Sequence, residues 1–171
     1  MFKLPFIITF LLLLQYGLSG QSFEIPKGFP PAQKQDYAKF EKDVLSAIRY
    51  LQESPSELDK SKRDAVSTFL MQWISATPTV SVSLRGEVLP FGEDTDLLIV
   101  FLGGYVKYAI EHPKETVESK RYHAGIKATT TFYKKNKAQL SQNQHVEKMD
   151  QLDSDGKLED WIKEKLEKNN H

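Results

Sequence analysis

Apolar residues recur at spacings of three and four along most of this chain, the period of helices packed on a common core. The first set is Tyr37, Phe40, Val44, Ile48 and Leu51, on one face of a helix that Ser54-Pro55 ends, because a residue before proline is pushed out of the helical region. A second set, Ala65, Val66, Phe69, Leu70, Trp73 and Ile74, follows the polar stretch Asp59 to Asp64 and stops before Thr77-Pro78. From Thr79 to Gly92 the period shortens: Val80, Val82 and Leu84 alternate with Ser81, Ser83 and Arg85 ahead of Gly86. This alternation predicts a short extended segment or hairpin near residues 79–91, and an unpaired edge at Val80, Val82 and Leu84 is a place for a partner strand to add.

The helical period returns from Asp96 to Glu111, where Leu97 through Leu102 is an unbroken apolar run continued by Gly103, Gly104, Tyr105 and Val106. A helix apolar on every side is one that others surround. Lys107 interrupts the run well short of the roughly 20 residues that a membrane span requires. Asp94, Thr95 and Asp96 offer caps at its start, and Pro113 follows its end. The next helix is expected from Thr116 to Lys137, with Tyr122, Ile126, Thr129, Phe132 and Tyr133 on one side and Ala124, Gly125 and Ala128 beside them. Missing side chains let backbones approach, so Gly103-Gly104 and Ala124-Gly125-Ala128 predict a close contact between these two helices. Two short helices finish the pattern: Val146, Met149 and Leu152, then Leu158, Trp161, Ile162 and Leu166 after a turn at Asp153 to Gly156. The fold class expected is mainly α, a single irregular bundle of five or six helices over residues 32–168.

The chain opens differently. Met1-Phe2-Lys3, the apolar run Leu4 to Leu14, and the small residues Gly17, Ser19 and Gly20 have the three-part layout of a secretory signal peptide over residues 1–20. Pro26, Pro30, Pro31 and Gly28 then oppose regular structure, so residues 21–31 are expected to form an extended leader. No integral membrane span is expected after signal cleavage, and the location implied is periplasmic or extracellular. About 150 residues remain, enough for one domain to bury a core without staples. The absence of cysteine excludes disulfides, thiolate metal sites and a cysteine nucleophile. With 23 basic and 23 acidic residues the chain offers no electrostatic case for nucleic acid.

Candidate chemistry is sparse. Asp153, Asp155 and Gly156 match part of a calcium-binding loop, but Gln151 and Ile162 stand where its first and last carboxylates belong, and a turn explains the same residues. The four histidines lack metal-pair spacing. No G-x-S-x-G elbow, phosphate loop or G-x-G-x-x-G occurs, so no cofactor is expected. Glu93, Asp94 and Asp96 form an acidic cluster able to hold a cation or exchange a proton, although capping of the following helix accounts for them too. His123 is the remaining titratable candidate. Tyr105, Tyr108, Tyr122, Phe132 and Tyr133 could line a pocket, but aromatics at helical spacing more often build core. Lys134, Lys135 and Lys137 suit a helix C-terminus.

The signal peptide followed by Gln21, the segment from Trp73 to Val82, Gly103-Gly104 with Tyr108, Gly125 with Tyr133, and Trp161-Ile162 together make the chain resemble uncharacterised exported helical proteins of Bacteroidota-type bacteria. That resemblance implies export and carries no catalytic residue. The expected function is a non-enzymatic interaction or structural protein of the cell envelope, with an envelope protein as its partner. The alternatives are a carrier of a small apolar ligand within the bundle and a small enzyme using Glu93, Asp94 or His123.

Overall fold

Six α-helices form in the computed structural model, which describes residues 23–55, 59–89 and 94–168: α1 (Glu41–Glu53), α2 (Lys60–Ala76), α3 (Thr95–Glu111), α4 (Glu118–Lys135), α5 (Gln144–Ser154) and α6 (Leu158–Glu167). The protein is a mainly helical bundle. The expected signal peptide lies outside the described residues, and no helix among those described is long and apolar enough to cross a membrane.

The central element is α3, which buries residues on nearly every side, from Leu97 to Ala109. Its most extensive neighbour is α4; α1 covers another side, and α5 and α6 pack on α4. The two adjacent glycines of α3 serve different neighbours. A β-carbon on Gly103 would come within 3.2 Å of the Ile48 side chain of α1. One on Gly104 would come within 2.7 Å of both the Ala124 carbonyl oxygen and the Ala128 β-carbon of α4. One on Gly125 would strike the Phe101 ring at 2.6 Å. The close contact expected from the small residues is therefore present, and it is made backbone to backbone.

Helix boundaries differ from the sequence reading: α4 runs from Glu118 to Lys135, two residues shorter at each end than expected, and two further differences have a visible cause. The polar stretch Asp59 to Asp64 does not precede α2 but forms its first turns, because the Asp59 carboxylate accepts from the Lys62 backbone N–H at 3.1 Å and starts the helix at Lys60. Tyr37 and Phe40 sit in a 3-10 segment, Lys34–Phe40, that leads into α1. Residues 23–31 hold no helix and are docked on the bundle. Phe23 is buried, and the Phe23 and Phe29 rings lie 5.5 Å and 4.6 Å from that of Phe69 on α2. The packed body thus begins ahead of Ala32.

Residues 80–85 are in neither helix nor strand, with Arg85 extended, and no strand forms among the described residues; a 3-10 turn at Gly86–Val88 follows. Val80 is buried, Val82 half-buried and Leu84 exposed. The segment is fastened by a side chain. The fully buried Tyr122 donates its hydroxyl to the Ser83 carbonyl at 2.6 Å and accepts from the Arg85 backbone N–H at 3.0 Å. Burial raises this phenol from 10.0 to about 12. The stability linked to its protonation is complete below pH 10 and lost as the pH rises towards about 12, because the unfolded chain ionises first. Tyr122→Phe, which strips both backbone groups of their partner, is expected to cost about 2 kcal/mol at neutral pH. Denaturation followed across that alkaline window should show the gap between wild type and variant closing; a gap independent of pH would contradict this account.

Candidate functional site

The residues nominated from sequence do not converge. The Asp94 carboxylate caps α3, accepting from the Leu97 N–H at 3.0 Å. Asp96, one turn in, faces α2 with a carboxylate oxygen 3.6 Å from Nε of Arg63. His123 on α4 bonds through Nε2 to Asp153 at 2.9 Å, and the second oxygen of that carboxylate is 3.7 Å from the Lys127 ammonium. Glu93 lies outside the described residues. Three candidates therefore occupy three separate settings: a cap, an interhelical ion pair, and a tie between α4 and α5.

The other sequence features are absorbed by structure. Asp153 is spent on His123 and Lys127, while Asp155 accepts from Gln151 at 2.8 Å. Gly156, at φ 69°, lets the chain turn so that the Lys157 N–H reaches the Leu152 carbonyl and closes α5. Lys134 pairs with Asp150 at 2.7 Å and Lys137 with Glu147 at 2.9 Å, tying α4 to α5, and Lys135 donates to the Glu53 carbonyl. Among the described residues no group of three or more His, Asp or Glu side chains is placed to hold a metal ion.

Arg63 was not singled out by the sequence. It is buried at 2% exposure, donates through Nη1 to the Leu51 carbonyl at 2.9 Å, and lays its guanidinium 4.9 Å from the centre of the Phe132 ring. Burial lowers its pKa, opposed by Asp96. Nε and Nη2 have no hydrogen-bond partner. The group satisfies a last-turn carbonyl of α1 where a cation also favours the helix dipole, and so links α1, α2 and α4.

Among the openings in the surface, two are lined by the central helix α3. One is a groove of about 480 Å³ between α2 and α3. It arises because α2 packs closely on α1 and only lightly on α3. Ile99 and Leu102 contribute apolar floor, Leu98 and the 42% exposed Met71 its walls, and Asp64 and Asp96 its charge. The other is a cleft of about 330 Å³ lined from α1, α3 and α4. Tyr108 and Phe132, two of the five aromatics considered for a pocket, line this cleft. Tyr105 and Tyr122 instead pack on each other edge to face at 5.6 Å in the core. Comparison with protein-family models, curated proteins and solved structures finds no match for this chain.

Proposed function

We propose that this is an exported, non-enzymatic interaction protein of the cell envelope that receives the apolar face of a partner's amphipathic helix between α2 and α3. The observation that carries this reading is the groove itself. It is open, apolar along its floor, walled by an exposed methionine, and bordered by two carboxylates with no lysine or arginine in its lining. Helices with apolar residues at spacings of three and four lie in such grooves, and a methionine adapts its shape to the incoming side chains. The acidic border selects lysine or arginine beside the apolar stripe. Strand addition at Val80 to Leu84 is supported less well, since the Ser83 carbonyl and the Arg85 N–H are already bonded to Tyr122. Export is inferred from the layout of residues 1–20.

A short synthetic helix of leucine and lysine is expected to bind in fluorescence anisotropy, and its leucine and glutamate counterpart to fail. Met71→Lys, which places a like charge in the groove, should weaken the lysine peptide by about tenfold or more. Equal binding of both peptides, or an unchanged affinity in the variant, would remove the groove from the account. Recovery of the chain from the cell envelope with an intact mass beginning at Gln21 tests the export half.

A further inference from the structure

The cleft between α1, α3 and α4 shares no lining residue with the α2–α3 groove. It exists because the residues that let α3 and α4 touch are small: Gly104, Ala124 and Ala128 line it, and Tyr108 and Phe132 add aromatic surface. Two lysines, Lys107 and Lys127, and a single acid, Glu111, are the charged residues of its lining. Neither ammonium is well paired. Lys107 is 3.9 Å from Glu111 and Lys127 is 3.7 Å from Asp153, both beyond hydrogen-bonding distance. Each keeps donors for another acceptor. Gln52, also in the lining, has its amide nitrogen buried beside Gly103 without a hydrogen-bond partner.

We propose that this cleft binds an amphipathic monoanion, an aromatic body carrying one carboxylate. Its volume of about 330 Å³ stands at the small end of ligand sites, a match for one or two fused rings. The rings lie over Gly104, Ala124 and Ala128 beside Tyr108. The carboxylate meets Lys107 and Lys127, whose pairings with Glu111 and Asp153 are longer than hydrogen bonds and leave ammonium donors for it. A neutral apolar molecule would use none of these donors, and a cation would be placed beside two ammoniums. Closure of the small-residue contact and creation of a binding surface are thus two results of the same missing side chains.

Naphthalene-carboxylate and naphthylmethylammonium share a ring system and differ in charge, so titrating each into the isotope-labelled protein separates the terms. The carboxylate is expected to shift the backbone resonances of Gly104, Ala124 and Ala128 saturably, and to bind at least about tenfold more tightly than the ammonium. Lys107→Glu and Lys127→Glu should each weaken it by about tenfold, and Thr131→Trp, at the exposed lip, should block it. Spectra otherwise superimposable on wild type will show that these surface variants are folded. Equal binding of the two probes, no loss in the lysine variants, shifts centred on Met71 and Leu98, or no saturable shift at all would each overturn the proposal.

Discussion

Gly104→Ala is expected to destabilise the protein by about 2–3 kcal/mol, while Gly103→Ala, one residue earlier, leaves stability almost unchanged. Alanine is favoured over glycine inside a helix by about 1 kcal/mol, so the sign at each position depends on what the added β-carbon meets. At Gly103 the nearest atom is the Ile48 γ-methyl at 3.2 Å, a tight side-chain contact that offsets the gain from alanine without forcing backbone to move. At Gly104 it meets the Ala124 carbonyl oxygen at 2.7 Å and the Gly125 α-carbon at 2.9 Å, and backbone does not yield without moving the helix. Gly125→Leu is the severer form, since its first carbon alone would sit 2.6 Å from the Phe101 ring in the most buried part of the bundle. For a domain of this size, 2–3 kcal/mol corresponds to roughly 4–12 °C in Tm. Thermal unfolding of the three variants beside Gly86→Ala, where nothing lies within 4 Å, gives the comparison. Equal effects at Gly103 and Gly104 would mean that α3 and α4 are not in backbone contact.

The second large effect is expected at Arg63. Arg63→Ala should cost about 3 kcal/mol and Arg63→Met less than about 1 kcal/mol. Alanine removes the aliphatic stem, the Phe132 contact and the bond to the Leu51 carbonyl together, leaving a void among α1, α2 and α4. Methionine refills that space with an unbranched chain and removes two buried nitrogens that have no hydrogen-bond partner. Its largest loss is the donor to Leu51, worth about 1 kcal/mol, beside a long ion pair to the half-exposed Asp96. Asp96, half exposed, turns to water when its neighbour goes. Denaturant midpoints decide the matter. If methionine were as harmful as alanine, the charge itself would be what holds the three helices.

The difference between Gly104 and Arg63 also shows what the sequence could express. Helices α1 to α3 end where Ser54-Pro55, Thr77-Pro78 and Pro113 make continuation difficult, α3 begins where Asp94 can cap it, and the small residues of α3 and α4 meet as their spacing suggested. All of these are local signals, carried by residues whose backbone preference or missing side chain acts at its own position. Arg63 was illegible because its partners, the Leu51 carbonyl and the Phe132 ring, come from other helices, and a lone arginine in a polar stretch announces neither. The same holds for Tyr122, whose periodicity marked it as core while its hydroxyl fastens a distant loop. The groove and the cleft were hidden more deeply still. They depend on how far α2 stands from α3 and on where α4 diverges from it, quantities set by packing between helices and not by any one of them. His123, the remaining titratable candidate, is tied to Asp153.

The docking of Phe23 and Phe29 on Phe69 leaves almost no slack ahead of the helices. A lipid anchor, fusion partner or affinity tag joined at Phe23 would hold the bundle close and in a restricted orientation, like a hand gripped at the wrist and not on a string.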